Sequence, residues 1–189
     1  MALAVCGPDR DGWVEGCRHV VSPNCDERPA GVAVDLLVIH AISLPPGRFG
    51  GSDIEALFTN RLDASADPFY PSIAELRVSA HFLIRRDGEL VQFVPTTRRA
   101  WHAGESSWRG RPRCNDFSIG IELEGCDEAA FEPVQYGRLG ALVNALCRSL
   151  PIAGIAGHSE IAPGRKTDPG PHFDWARLMA GLDSPLARP

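Results

Sequence analysis

The chain has 189 residues, 44% of them hydrophobic and 23% charged, a composition normal for one globular domain with a buried core. Its formal net charge of −5 leaves no basic surplus for a phosphate backbone, which argues against a nucleic-acid-binding protein. The apolar start, residues 1–6, is shorter than the roughly 7–15 residues of a signal-peptide core or the ~20 of a membrane span. We therefore expect a cytoplasmic protein without membrane contact, whose six cysteines are free thiols.

The first third of the chain predicts an irregular lead-in followed by a strand and a helix. Residues 1–33 show little periodicity, which predicts an irregular N-terminal arm. The apolar run at 35–40 is rich in β-formers and predicts a buried strand that ends at His40. Ser52 and Glu55 have the spacing of a capping box, so a short helix is expected to begin there.

The middle of the chain predicts a hairpin and a further strand. Residues 80–84 and 89–94 flank Asp87 and Gly88, a pair typical of a tight hairpin turn. Residues 117–123 alternate apolar with small or polar side chains, which predicts a strand with two different faces.

The last third predicts a helix, a strand and a closing helix. Pro133 suits the first position of a helix, and leucines then recur at helical spacing. Residues 152–156 predict a short strand just before His158, and residues 174–181 a last helix before a tail at 183–189. The whole pattern predicts a single α/β domain, 1–189, with a central mixed β-sheet flanked by helices.

Three side chains in this pattern have the chemistry of a metal site. His40 and His158 each follow a predicted strand, and Asp168 comes ten residues after His158. Two imidazoles and a carboxylate suit a catalytic Zn²⁺ that keeps its fourth position open. From the residues alone, a histidine after a strand is more often an ordinary structural residue, and ligands so widely separated in sequence cannot be paired by spacing.

Five ordered blocks resemble a known enzyme family. They are residues 37–47 (LVIHAISLPPG), 76–88 (LRVSAHFLIRRDG), 99–104 (RAWHAG), 114–125 (CNDFSIGIELEG) and 161–170 (IAPGRKTDPG). Together they resemble the AmpD family, cytoplasmic 1,6-anhydro-N-acetylmuramyl-L-alanine amidases of the wider amidase-2 and peptidoglycan-recognition fold. The resemblance extends over nearly the whole chain.

The resemblance implies a set of active-site residues. By position in the blocks, the family's zinc ligands fall on His40, His158 and Asp168. Its catalytic glutamate falls on Glu122 and its active-site lysine on Lys166. A carboxylate there could move a proton from water to the leaving amine, and an ammonium could stabilise a developing oxyanion.

Pattern alone leaves alternatives for the catalytic pair. Glu122 and Glu124 share one face of a regular strand, so either could be the acting carboxylate. Glu122 and Lys166 could instead form a surface ion pair without catalytic meaning. The resemblance favours Glu122.

Substrate contacts are also implied by the resemblance. Trp101 could form an apolar wall for a sugar, and Arg77 and Arg113 match positions associated with ligand carboxylates and polar groups. The simpler alternatives are a core tryptophan and two solvated arginines. His81 and His102 lie inside family blocks as well, and we expect them to serve packing or to support a metal ligand from behind.

One position departs from the family. The residue after the first ligand histidine is usually asparagine, whereas this chain has Ala41. An amide there would make substrate hydrogen bonds that a methyl group cannot. This position therefore bears on the preference between the anhydro and the ordinary muramyl end.

The function implied is zinc-dependent hydrolysis of the bond between (1,6-anhydro-)N-acetylmuramic acid and L-alanine of peptidoglycan stem peptides, in cytoplasmic recycling. An anhydromuropeptide is the partner expected, and no protein partner is indicated. One alternative is a non-catalytic peptidoglycan-fragment binding protein. The others are an amidase acting on intact cell wall and a hydrolase of another acyl-peptide.

Overall fold

The computed structural model describes residues 5–189, so the first four residues of the predicted arm lie outside the described residues. The strands are β1 (Arg18–His19), β2 (Cys25–Glu27), β3 (Leu36–Ile42), β4 (Phe82–Ile84), β5 (Leu90–Gln92), β6 (Arg98–Ala100), β7 (Ser107–Trp108), β8 (Arg111–Pro112), β9 (Ser118–Glu124) and β10 (Gly154–Gly157). The α-helices are α1 (Asp53–Phe58), α2 (Pro133–Ser149), α3 (His158–Ile161) and α4 (Trp175–Ala180).

A six-stranded mixed sheet forms the centre, in the order β1-β5-β4-β9-β3-β10. β4 and β5 are the antiparallel hairpin predicted around Asp87 and Gly88, and Gly88 takes the left-handed conformation that its turn requires (φ 84°). The pairs β4–β9, β9–β3, β3–β10 and β1–β5 are parallel. The prediction of one α/β domain with a central mixed sheet and flanking helices is confirmed.

The two longest strands, β3 and β9, have different side chains on their two faces. Leu37 and Ile39 of β3, with Ile119 and Ile121 of β9, join the main core cluster, to which α2 contributes its buried leucines. This is the helical layer that the leucine spacing after Pro133 predicted, and α2 begins at that proline.

The opposite face of the sheet is covered in two separate patches. One is centred on α1 and on residues that follow β5, and it includes Phe58 and Phe93 in edge-to-face contact. The other includes Leu36 and Val38 of β3 with Trp108 of β7. His40 and Glu122 follow on this same face, toward the carboxyl ends of β3 and β9.

The structure differs from the predicted N-terminal arm and from the predicted helix cap. β1 and β2 lie inside 1–33, and β1 pairs with β5 as an edge strand of the main sheet. At α1, Ser52 is the N-cap residue but makes no side-chain capping bond. The capping box is wrong because Glu55 is paired instead with Arg18 and Arg85, at 2.6 and 2.5 Å.

The predicted tail at 183–189 is paired with the sheet. Ala187 forms a parallel bridge with Gly154 of β10, accepts a hydrogen bond from Ile155 N (2.9 Å) and donates one to Ala153 O (3.1 Å). Arg188 bonds to Glu160 of α3 at 2.5 Å and lies over the Trp175 ring. Within residues 5–189, no helix is both long and apolar enough to cross a bilayer.

Candidate active site

The parallel order of β9, β3 and β10 places the predicted metal ligands at one edge of the sheet. His40 lies near the carboxyl end of β3, and His158 begins α3 directly after β10. Asp168 follows on a loop that returns to the same place, because its carbonyl accepts a hydrogen bond from Ser159 N at 2.8 Å. Carboxyl ends of adjacent parallel strands meet at one edge, which is why residues 128 positions apart in sequence can touch.

Three donor atoms of these residues form a nearly equilateral triangle. His40 Nδ1 lies 3.0 Å from His158 Nδ1, and each of these nitrogens lies 3.1 Å from Asp168 Oδ2. Ligands of a tetrahedral zinc at 2.0–2.1 Å would stand about 3.3 Å apart, so a small expansion suffices to fit the ion. Among the described residues, this is the one group of three or more such side chains with metal-site spacing.

The protonation of His40 and Asp168 also suits a divalent cation. Burial lowers the pKa of His40 to about 4, so its imidazole is neutral near pH 7. Burial opposes ionisation of Asp168, but hydrogen bonds to His158 and His40 hold the pKa of its carboxyl below the ordinary value. Two imidazoles and one carboxylate are the donor set expected of a catalytic zinc site.

Glu122 stands beside this triangle. It is the register neighbour of His40 across the β3–β9 pair, and only 8% of the residue is exposed. Burial, and then the negative charge of Asp168, raise the pKa of its carboxyl well above the usual value, while Lys166 acts in the opposite direction. Its Oε2 atom has no hydrogen-bond partner among the described residues, which disfavours the surface ion pair considered from the sequence.

Glu124 lies on the same face of β9 as Glu122 but in a different environment. Its Oε1 accepts from Gly50 N at 2.6 Å and from Arg85 Nη1 at 3.4 Å, and its Oε2 accepts from Arg86 N at 3.1 Å. A carboxylate held by three donors is committed to structure, whereas Glu122 keeps one oxygen without a hydrogen-bond partner.

Two adjoining cavities meet at the site. The smaller, about 220 Å³, is lined by the three candidate ligands, Glu122, Trp101 and Lys166, among others. The larger, about 440 Å³, extends past residues 125–128 and shares Ala41, Lys166 and Asp168 with the smaller one. Together the two cavities have room for a ligand that extends beyond the triangle.

The sequence-predicted substrate residues divide into two groups. Trp101 and Ala41 line the cleft, as expected of residues that would contact a substrate. Arg77 and Arg113 line neither cavity and are exposed; Arg77 faces Glu75 at 3.7 Å, and Arg113 pairs with Asp116 at 3.1 Å. Both arginines lie at the surface beside a local acidic partner and outside the two cavities, so a role in substrate binding stays a prediction.

The groups behind the histidines include residues that the sequence did not single out. His40 Nε2 lies 2.9 Å from His102 Nδ1, and His158 Nε2 lies 3.1 Å from Ala103 O. Behind His102, Ser118 Oγ is 3.1 Å from its Nε2. The alternation at 117–123 was the available signal, because it puts Ser118 on the face of the strand that carries Glu122.

Comparison with known proteins shows which family the chain resembles. Residues 30–171 match the Amidase_2 family model, described as N-acetylmuramoyl-L-alanine amidase. The 1,6-anhydro-N-acetylmuramyl-L-alanine amidase AmpD of Citrobacter freundii is 58% identical over 172 residues, which are 90% of this chain and 92% of that protein. AmpD of Haemophilus influenzae is 46% identical over 174 residues, covering 90% and 95%.

Solved structures extend the likeness to three dimensions. A crystal structure of a selenomethionine AmpD derivative matches with a TM-score of 0.90 at 58% identity, over 93% of this chain and 98% of that one. AmiD from Escherichia coli was solved in complex with the substrate anhydro-N-acetylmuramic acid-L-Ala-D-gamma-Glu-L-Lys. It matches with a TM-score of 0.57 at 29% identity, over 94% of this chain and 65% of that one. The chain therefore belongs to the Amidase_2 family of N-acetylmuramoyl-L-alanine amidases and, within it, to the AmpD family.

Proposed function

We propose that this amidase hydrolyses the amide between 1,6-anhydro-N-acetylmuramic acid and the L-alanine of a peptidoglycan stem peptide, with zinc, in cytoplasmic muropeptide recycling. The observation that carries the proposal is the triangle of His40 Nδ1, His158 Nδ1 and Asp168 Oδ2, with the buried carboxyl of Glu122 beside it. The names of the most similar relatives support the substrate, and the complex of the Escherichia coli relative supports an anhydromuropeptide ligand.

The zinc would be held by His40, His158 and Asp168. When bound, it supplies a Lewis acid that polarises the scissile carbonyl and lowers the pKa of water. The chain contributes two imidazoles whose far nitrogens are hydrogen-bonded, so that both rings are held in orientation. It also contributes a cavity that is lined by apolar side chains next to the ligands.

Glu122 is the proton carrier in this proposal. Its carboxylate accepts a proton from the water that attacks the carbonyl carbon of the muramic acid, and delivers that proton to the alanine nitrogen as the C–N bond breaks. The products are a free carboxylic acid and a free amine. A raised pKa suits the first step, because a more basic carboxylate takes the proton from water more readily.

Lys166 and Trp101 have supporting roles. Lys166 lines both cavities, and its ammonium is suited to stabilise the negative charge that develops on the carbonyl oxygen. Trp101 offers an aromatic wall to the sugar ring. Ala41 lines both cavities, and its methyl group is apolar where family members usually have an amide.

The cytoplasmic setting is part of the same proposal. All six cysteines are free thiols, as is typical of proteins in a reducing compartment. An anhydromuropeptide is a small, diffusible substrate, so the enzyme needs no wall-binding surface to reach it.

Mass spectrometry of the products from a purified anhydromuropeptide tests the proposal. We expect free stem peptide and free anhydro-N-acetylmuramic acid from the native enzyme, and no product after chelation, with recovery on adding Zn²⁺. Binding of the muropeptide without product would favour the non-catalytic alternative. Faster release of peptide from intact sacculi than from the soluble fragment would favour an enzyme of the wall. Full turnover in a chelated, metal-free sample would exclude zinc.

A further inference from the structure

Both histidine ligands are supported from behind by one short segment, residues 101–104. The imidazole of His102 lies against His40, and the carbonyl of Ala103 lies against His158. The segment is itself fixed by Asn115, whose Oδ1 accepts from His102 N at 3.1 Å and from Ala103 N at 2.8 Å. The orientation of the two ligand rings is therefore tied to a single piece of backbone.

Behind His158 the direction of the hydrogen bond is plain. Ala103 O can only accept, so His158 Nε2 carries the proton, and the neutral ring keeps its lone pair on Nδ1. The same carbonyl also accepts from Arg165 Nη2 at 2.6 Å. The lone pair of His158 Nδ1 thus faces His40 Nδ1 and Asp168 Oδ2.

Behind His40 the support is a second imidazole, whose direction is not obvious from the pair alone. Either nitrogen of the His40–His102 contact could carry the proton, because each neutral ring has one donor and one acceptor. The next groups along the chain resolve this ambiguity. Ser118 Oγ lies 2.6 Å from Cys114 O and 3.1 Å from His102 Nε2.

A backbone carbonyl sets the direction of this hydrogen-bond chain. Cys114 O can only accept, so the Ser118 hydroxyl donates to it at the short 2.6 Å contact. The Ser118 oxygen is then the acceptor for His102 Nε2–H, which leaves His102 Nδ1 without a proton. His102 Nδ1 consequently accepts from His40 Nε2–H, and His40 Nδ1 keeps its lone pair on the side of the metal triangle.

Packing holds the intermediate ring in line. A Cβ built on Gly120 would lie 2.4 Å from His102 Cγ, so the ring rests directly on the backbone of β9 at a position where only glycine leaves room. Ser118, Gly120 and Glu122 follow on one face of this strand. The same strand face therefore ends the hydrogen-bond chain, seats its imidazole and carries the proposed proton carrier.

We propose that Ser118 and His102 are positioning residues that fix His40 as the Nε2-protonated tautomer and so present its Nδ1 lone pair to the metal. The inference rests on the zinc site of the proposed function. Removing either residue leaves all three metal ligands in place but allows His40 to turn or to change tautomer. Orienting partners of this kind are typically worth about 10–100-fold in metal affinity.

The test measures zinc affinity by competition with a chromophoric chelator in four variants. We expect His102→Ala to weaken zinc binding about 10–100-fold. Ser118→Ala removes one neutral hydrogen bond, and we expect roughly 2–13-fold. His102→Asn places an amide oxygen about where Nδ1 stands and should recover most of the affinity. Ser22→Ala is the matched control, because it removes another buried hydroxyl, bonded to Phe58 O at 2.5 Å, that makes no hydrogen bond to a metal ligand or to His102.

Imidazole ¹⁵N spectra, recorded with and without zinc, provide a readout that a merely structural role would not move. We expect His102 to carry its proton on Nε2 in the native protein and to become a mixture of tautomers in Ser118→Ala. A proton on His102 Nδ1 in the native protein would overturn the inference, as would native zinc affinity in both Ser118→Ala and His102→Ala. A native protein that binds no zinc would instead refute the proposed function, and the spectrum of its His102 would still decide the direction of the chain.

Discussion

Glutamine substitutions at Glu122 and Glu124 separate a catalytic carboxylate from a structural one on the same strand face. We expect Glu122→Gln to lose about 10²–10⁴-fold in turnover, because the amide keeps the shape and loses the base. At about 1.36 kcal/mol per tenfold, that corresponds to roughly 2.7–5.4 kcal/mol in activation free energy. Zinc content should be unchanged, since none of the three candidate ligands is altered.

Glu124→Gln is expected to show the opposite pattern. The amide can keep one acceptor, but its NH₂ group then faces a donor, either Gly50 N or Arg86 N. Losing one charge-assisted hydrogen bond in a buried setting costs about 1.5–3 kcal/mol in the free energy of unfolding. For a chain of this size the melting temperature should fall by roughly 3–12 °C, while the folded protein keeps its specific activity.

The pH dependence of stability adds a check on Glu122 in the chelated protein. The pKa of Glu122 in the folded protein is raised above the ordinary value of 4.5. The carboxyl therefore adds to the free energy of unfolding below pH 4.5, and this contribution is lost as the pH rises toward the folded-state pKa. Glu122→Gln removes this loss. The free energy of unfolding of the variant, measured by urea denaturation, should therefore rise relative to that of the native protein as the pH increases from 5 to 8.

Steady-state kinetics on a muropeptide and thermal melts of both variants make the comparison. A Glu124→Gln protein that is fully folded but inactive, beside a Glu122→Gln protein that turns over normally, would refute the assignment. A Glu122→Gln protein that lost its zinc would refute the separation between base and ligands.

Three further substitutions probe the ligands and the cleft. Asp168→Ala should abolish turnover and lower zinc content measured by metal analysis, because two histidines alone hold the ion poorly; a zinc-loaded, active variant would contradict this. Ala41→Asn should lower KM for an anhydromuropeptide by roughly 2–13-fold at constant kcat. This is the effect expected of one neutral hydrogen bond that is made equally in the ground state and the transition state. An unchanged or higher KM would mean that Ala41 does not influence substrate choice. Gly120→Ala should displace the His102 ring by about 1 Å, since carbon atoms pack at about 3.5–4.0 Å. Zinc binding should then weaken in a protein whose circular dichroism is native. Equal affinity in a chelator competition would show that the ring moves without consequence.

Local sequence patterns predicted the strands that carry the site residues, but not the long-range contacts around the site. The apolar run before His40, the turn at Asp87 and Gly88, and the alternation that includes Glu122 all depend on nearest neighbours in the chain, and each strand formed. The triangle could be inferred from the resemblance but not from spacing, because its three atoms meet only through the parallel order of β9, β3 and β10.

Long-range pairing explains where the predictions failed. The capping box at Ser52 is absent because Glu55 is taken by Arg18 and Arg85, which are distant in sequence. The choice between Glu122 and Glu124 likewise depended on Gly50, a residue 74 positions from Glu124. No periodicity contains such information, since it concerns which loop returns to which strand.

The pairing of residues 183–189 with β10 has a consequence for the solution behaviour of the protein. β10 is the last strand of the sheet, and without Ala187 its outer row of amide and carbonyl groups would be an open template for a strand of another molecule. Pro185 and Pro189 flank the paired residues, and neither can donate a further ladder hydrogen bond. The short segment thus ends the sheet with an edge that resists strand pairing between molecules. Removing it would expose β10 to such pairing next to the start of α3, which carries His158.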